Sequence, residues 1–420
     1  MKQKAIKIIA EIARVIVGMV FVFSGFVKSI DPLGTAYKIG DYLHSFGLDV
    51  FRFLSLPASI GLSAIEMLIG LLLLVGIYRR FSTIIALAFI LVMDAVTLYL
   101  AIANPISDCG CFGDALILTN WQTFWKNVFF TACIAFLFIN HKRLTFMAAK
   151  KDAAFILFFC IAYPIGLSLY CYTRALPLID FRPYKIGNTI EAGSRLQTNE
   201  PAFETIFIYE KDGIQQEFTI DNYPADNPEW TFVNAITTEI GNAAGHEGEL
   251  FYLFNEQGDD VTEDILDSPD YTFLLISGKL QRASETRADL INDIHDYAIE
   301  RKYNFYGVTA SDDQTIEAWQ INTGAEYPFL KADETLLKTV IRSNPGLLLL
   351  KESEIIYKWA ALQIPDEQFF SRSLDEIDFE QMAKRKSRNR LIIAFTILFV
   401  PLGAAAIRKN TKEKNKLNNP

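Results

Sequence analysis

The sequence predicts an α-helical transmembrane bundle joined to a water-soluble α/β domain built on a mixed sheet. Three observations carry that prediction. The chain is 51% hydrophobic and holds 33 Phe among 420 residues, a composition of membrane proteins that also carry a soluble part. Its apolar residues gather into runs of about 20, the length that crosses a hydrocarbon core. The acidic residues concentrate in 190–380, where strand-like alternation gives way to helix-like periodicity. The net charge of −9 reflects the acidic residues of that soluble stretch, and no basic stripe with interleaved aromatics points to nucleic acid. Five scattered Cys and four His provide neither a disulfide scaffold nor a zinc spacing.

The first apolar run is 8–28, behind Lys2, Lys4 and Lys7. Glu11 and Arg14 interrupt it, no small-residue cleavage site follows, and it is long enough to span, so it reads as an uncleaved first helix rather than a signal peptide. Residues 29–56 are amphipathic: Asp31-Pro32 breaks the helix, and Tyr37, Leu43, Phe46 and Phe51 supply an interfacial face. Further spans are predicted at 57–78, 81–103, 121–140 and 153–173, the last kinked at Pro164, and a sixth at 391–407 contains Pro401.

Lys and Arg set the expected orientation. The N-terminal lysines, Arg79-Arg80, and His141, Lys142, Arg143, Lys150 and Lys151 all fall on one side, which the positive-inside rule makes the cytoplasm. Lys384, Arg385, Lys386, Arg388 and Arg390 run against this at the outer flank of the last span, where they read as an anchor to anionic headgroups; early helices decide the orientation. The expectation is a multi-pass protein of the inner membrane with both termini cytoplasmic and 174–390 periplasmic, where disulfides persist.

In that insert, 205–220 alternates around Lys211-Asp212-Gly213 as a hairpin. Strands follow at Tyr271–Ile276 and Asn304–Thr309, helices at 285–300 and 312–321, and a hairpin at Leu347–Lys351 with Ile355–Trp359. The first helix places Leu290, Ile291, Ile294, Tyr297 and Ala298 on one face and His295 on the polar side, towards solvent. The order β-α-β-α-β-β requires a mixed sheet covered by helices. With Asn344-Pro345-Gly346 just before a buried strand, it resembles the thioredoxin-like fold, which implies a cis-proline at Pro345. The segment Ser277–Glu285, where that family carries Cys-x-x-Cys, has no cysteine. Without a thiolate such a domain does not run disulfide exchange. Such a domain binds a periplasmic client or redox partner protein or shapes a surface, or has some other catalytic role. The domains read as 1–173 for the five-span part, 174–265 for a β-rich lead-in, 266–382 for the thioredoxin-like part and 383–420 for the last span and basic tail.

Chemistry is concentrated in the polar hairpin Ser107–Asp114, which holds Cys109 and Cys111. The two thiols lie at the membrane surface, with glycines on both sides of Cys111, and a disulfide across one residue closes a small ring of the labile kind. Asp108 and Asp114 disfavour a thiolate, so the motif lacks an evident activator. Two readings stand: a redox pair, or a disulfide that pins the hairpin in a non-enzymatic scaffold or maturation factor. Cys171, at the same depth, is a resolving thiol if it approaches the hairpin and interfacial packing if not; Cys133 and Cys160 read as inert apolar side chains. Residues 8–173 with Cys109-Gly110-Cys111-Phe112-Gly113 resemble the DoxX/MauE group of small bacterial membrane proteins. That resemblance implies thiol redox and oxidant handling, and maturation of a disulfide-rich periplasmic enzyme for MauE.

Glu66 and Asp94 lie inside spans, where a charge defaults to a functional hypothesis such as a proton relay. The alternative is a protonated carboxyl bonded to a neighbouring helix, with Asn127 as a candidate partner. No cofactor is evident, and no sequence feature identifies a quinone site.

Overall fold

Asp31 ends one helix and starts the next. Its carboxylate accepts the Gly34 N–H at 3.0 Å, and Pro32, with no N–H to lose, occupies the first turn. The break separates α1 (Lys2–Ile30) from α2 (Pro32–Ser45). The computed structural model describes residues 2–106, 108–145, 152–174, 176–193, 203–211, 213–219, 222–224, 227, 229–239, 250–366 and 368–418; Ser107, Lys150, Lys151 and Asp212 of the readings above lie outside them. The chain divides into two units, Met1–Thr173 with Pro177–Ile179 and Arg388–Pro420, and Arg174–Leu176 with Asp180–Ser387.

In the first unit a 3-10 turn, Asp49–Leu54, leads into α3 (Ser55–Val75), which Gly76 closes at φ +73. Then come α4 (Arg79–Ala103), α5 (Asn120–Ile139) and α6 (Ala153–Arg174), the last continuing through Pro164. The C-terminal helix, Phe379–Asn418, contributes its later turns. Among the described residues five helices are long and apolar enough to cross a membrane: Asp49–Val75, Arg79–Ala103, Asn120–Ile139, Ala153–Arg174 and Phe379–Ala404. This is a multi-pass membrane protein. The first run is helical as expected but is not one of the five; Lys7, Glu11, Arg14 and Lys28 punctuate it.

α1 packs tightly against α3, through glycine. A Cβ on Gly25 would lie 2.6 Å from the Met67 nitrogen, and one on Gly70 would lie 2.6 Å from the Val22 nitrogen and 2.7 Å from the Gly18 oxygen. Small residues of this kind let helix backbones approach without a large hydrophobic drive. Arg14, 2% exposed, donates to the Leu73 and Leu74 carbonyls at 3.1 and 3.2 Å, satisfying the end of α3.

The second unit begins with β1 (Phe203–Lys211), β2 (Ile214–Thr219) and β3 (Thr231–Glu239), an antiparallel sheet in the order β2-β1-β3 that contains the expected hairpin. After the short α7 (Thr262–Leu266) come β4 (Thr272–Ser277), α8 (Ala288–Arg301), β5 (Asn304–Thr309), α9 (Asp313–Thr323), β6 (Phe329–Lys331), α10 (Glu334–Val340), β7 (Gly346–Lys351) and β8 (Glu354–Ala360). The order is β6-β5-β4-β7-β8, with β4, β5 and β6 parallel and β7 and β8 antiparallel, a mixed sheet as expected. The short β6 and α10 are additions to the predicted order. Asn344-Pro345, at the entry to β7, is cis.

Both faces of this sheet are covered, which is why β4 and β7 read as unbroken apolar runs. Phe273, Leu275, Leu347 and Leu349 face Ile291, Ile294 and Ala298 of α8. Leu274, Ile276, Leu348 and Leu350 face Leu336, Leu337 and Val340 of α10. His295 does not face solvent as expected: it is 8% exposed, with Phe305 and Tyr327 rings at 5.4 and 5.6 Å. The aromatic Tyr327, in the stretch leading to β6, covers the helix side that sequence periodicity assigns to water.

A buried charge group also belongs to this unit. Arg182 grips Asp180 with two N–H donors at 2.7 and 2.8 Å, and Lys358 donates to the Val340 carbonyl at 2.7 Å and approaches Asp180 at 3.5 Å. Burial pushes Lys358 down to about 7 against an ordinary 10.5, with Asp180 offsetting part of the loss. Below about pH 7 both folded and unfolded chains carry the proton and the burial penalty is complete. Between there and 10.5 only the unfolded lysine stays protonated, so this residue's penalty fades and stability rises with pH. Lys358→Met is expected to flatten that rise, read by urea unfolding followed through Trp359 fluorescence across about pH 7 to 10.

In the helical unit, Gly70→Ala is expected to cost about 1–3 kcal/mol by forcing α1 and α3 apart. Gly61→Ala, in the same helix with open space at its Cα, should be neutral or slightly stabilising. Thermal unfolding of the detergent-solubilised chain compares the two.

Candidate functional site

The loop between α4 and α5 is clamped at its base. Asn104 leaves α4 at φ +44, and Asn120 donates to the Asn104 side chain at 2.9 Å and to the Ile106 carbonyl at 2.8 Å. Thr119 and Gln122 form a capping box that starts α5, and Asp108 bridges to Thr119. Within the loop Gly110 and Gly113 sit at φ +63 and +52, a region where side chains other than glycine are strained. The reversal brings the Cys109 and Cys111 sulfurs to 2.7 Å.

Side chains from two helices hold the backbone of this pair, and a third helix holds those side chains. The Tyr42 hydroxyl of α2 donates to the Cys109 carbonyl at 2.7 Å. The Cys111 carbonyl accepts from Ser24 of α1 at 2.7 Å and from the Lys28 ammonium. Lys28 also donates to Ser24 at 2.7 Å and pairs with Glu66 of α3 at 2.9 Å, and Ser24 lies 2.7 Å from the same carboxylate. Lys28 and Glu66 are 3% and 4% exposed. Outside this core, Lys38 pairs with Asp108 at 2.9 Å, and Lys126 of α5 lies 4.4 Å above the Phe112 ring.

Residues 6–140 match the family model described as methylamine utilisation protein MauE. The match runs through α1 to α5 and contains the whole thiol loop. Residues 203–241, the three-stranded sheet, match a domain of unknown function (DUF8463). No curated protein and no solved structure matches the chain.

The two thiols of this MauE-like region are unequal. The contact with Cys109 lowers the Cys111 thiol against the effect of burial; Lys126 and Lys28 add to the drop and Glu66 opposes it. Cys109 is pushed upwards by that same hydrogen bond and by burial. Burial and the nearby cysteines also raise the Tyr42 hydroxyl. The expectation that the motif lacks an activator is therefore corrected. Its cations come from α1 and α5, about 80 and 15 residues away along the chain, and Lys38 balances Asp108.

Glu66 joins the loop, but Asp94 does not. Thr131 donates to Asp94 at 2.6 Å, whereas Asn127, the candidate partner, donates to Thr97 at 3.3 Å; α4 and α5 present Thr131 rather than Asn127 to the acid. Cys171 packs with Phe26, Met67 and Leu178, near Asp31 and Arg390, in a cluster apart from the pair. Cys160 is fully buried and Cys133 half-buried. Sequence reasoning missed Ser24, Lys28, Tyr42 and Lys126. For Lys28 a signal existed: it ends an apolar run four residues after Ser24, on the same helix face, and a buried lysine needs an acid.

Lys126→Met is expected to slow alkylation of Cys111 at neutral pH roughly three- to tenfold, with Lys126→Arg close to wild type. Iodoacetamide labelling followed by peptide mass spectrometry measures it.

Proposed function

We propose that this is an inner-membrane thiol-disulfide exchange protein whose Cys109/Cys111 pair trades electrons with a disulfide of a periplasmic protein. The observation that supports it most is the pair itself: two sulfurs at 2.7 Å on a loop braced by Tyr42, Ser24 and Lys28, with lysines beside them. In the reducing direction, a cysteine thiolate attacks the partner's disulfide. A mixed disulfide forms, the partner's S–S bond breaks, and the leaving thiolate takes a proton. The second cysteine loses its proton and attacks the mixed bond, leaving a Cys109–Cys111 disulfide and a partner dithiol, so that two electrons pass to the partner. The reverse sequence oxidises a partner dithiol. No step is assigned to a quinone.

The soluble domain is read as thioredoxin-like and non-catalytic. Its support is the order β5-β4-β7-β8, with parallel β4 and β5 joined through α8 and an antiparallel β7–β8 pair. Lacking thiols in Ser277–Glu285, it is assigned to docking the partner rather than to chemistry. The distribution of Lys and Arg supports α1 as a sixth crossing, cytoplasmic termini and a periplasmic 174–390. The name of the matched family, methylamine utilisation, supports an accessory role for a membrane protein.

Trapping thiols in intact cells with an alkylating reagent of known mass tests the reading. Cys109 and Cys111 are expected to shift between reduced and oxidised on mild oxidant treatment, and Cys109→Ser to accumulate a mixed disulfide through Cys111. A pair locked as a disulfide under every condition makes the loop a staple and the protein a scaffold.

A further inference from the structure

The polar core beneath the thiol loop has an arrangement that bonding within the helices does not explain. An ammonium has three hydrogens, and Lys28 directs its donors at Ser24, Glu66 and the Cys111 carbonyl. Ser24 has one hydrogen and two acceptors, Glu66 and the Cys111 carbonyl, each at 2.7 Å. Glu66 alone would leave part of the ammonium's donor capacity unused, and any nearby carbonyl could take it up. Here the pair extends one bond further and ends on the backbone of one particular cysteine.

The two cysteines are also held differently. Cys109 is 8% exposed, and its carbonyl is held by Tyr42. Cys111 is half-buried and lines a narrow crevice with Asp108, Gly110, Gly113, Leu116 and Thr123. The charged and titratable groups around the loop are Lys28 from α1, Lys38 and Tyr42 from α2, Glu66 from α3, Lys126 from α5, and Asp108 and Asp114 on the loop itself.

We propose that Cys111 is the attacking sulfur and Cys109 the one that closes the disulfide, and that Lys28 and Glu66 are the positioning residues that set this division. This rests on the thiol-exchange reading. Lys28 fixes the Cys111 end of the loop and places a positive charge behind its sulfur. Glu66 holds Lys28 in place and moderates that charge. The two therefore act on Cys111 with opposite electrostatic sign although they belong to one bonded group. A pair that only braced the loop, too remote to act on the sulfur, would not do this, because removing either partner would loosen the loop in the same way.

The test is the pH profile of Cys111 alkylation by iodoacetamide in the full-length protein, reduced and held in detergent, read by peptide mass spectrometry. Lys28→Met is expected to move the midpoint up by about one pH unit and to slow labelling at neutral pH about fivefold. Glu66→Gln is expected to move the midpoint down, and the paired Lys28→Met/Glu66→Gln variant, which leaves no unpaired buried charge, to lie between the two. In each case Cys109 remains the slower thiol. Midpoints that coincide with wild type, single variants that shift in the same direction, or faster labelling of Cys109 would overturn the proposal. Should Lys28→Met fail to accumulate, Glu66→Gln decides alone: a lower midpoint supports the assignment and an unchanged or raised one ends it. Failure of the exchange reading is distinguishable, since it shows in wild-type cells as a pair that never cycles, whatever the variants' midpoints are in detergent.

Discussion

The close approach of α1 and α3 is the constraint on which the candidate site depends. Gly18, Gly25 and Gly70 remove the side chains that would hold the two backbones apart, and Ser24 and Lys28 then reach Glu66 directly. A buried ion pair seldom contributes much net stability, because desolvating both charges offsets most of their attraction, while breaking one costs about 3–5 kcal/mol. A pair like Lys28–Glu66 is better understood through what it positions. It positions the carbonyl of Cys111, so the packing of α1 on α3 is felt directly at the thiol loop.

That loop reconciles two requirements that conflict in isolation. A thiolate needs positive charge nearby, yet the loop itself carries Asp108 and Asp114. The fold separates the contributions: Lys38 meets Asp108, while Lys28 and Lys126 act on the sulfurs. Positive-φ glycines permit the tight reversal, and the Tyr42, Ser24 and Lys28 donors satisfy carbonyls that the reversal takes away from regular structure.

Much of this architecture was legible in the sequence, for reasons that can be named. Apolar runs of spanning length marked the later helices, and alternating or continuous apolar strands marked the mixed sheet, because burial on one or both faces leaves a direct periodic trace. The short β6 and α10 left too few residues for such a trace. His295 was misplaced because helix periodicity reports one face at a time and carries nothing about Tyr327 closing over the other. Cys109, Cys111 and Glu66 were visible as unusual residue types in unusual places, but their electrostatics were not. The cations that govern the loop lie on helices far along the chain, and only the packing of α1, α3 and α5 brings them together.

The location of the thiols bears on how chemistry and recognition are divided. In the reading proposed here, a domain with a thioredoxin-like strand order carries no cysteine in the segment after its first central strand, while the membrane unit carries a cysteine pair on a braced loop. Neither part is sufficient alone: the sheet offers a surface without a nucleophile, and the loop offers a nucleophile in a narrow crevice with little surface for recognising a protein. Binding energy gathered on a broad surface is most useful when it orients a reactive group that cannot select its own substrate. The buried Lys28–Glu66 pair fits that division, because a thiol whose reactivity is fixed from within the bundle keeps its character whichever protein the soluble domain brings to it.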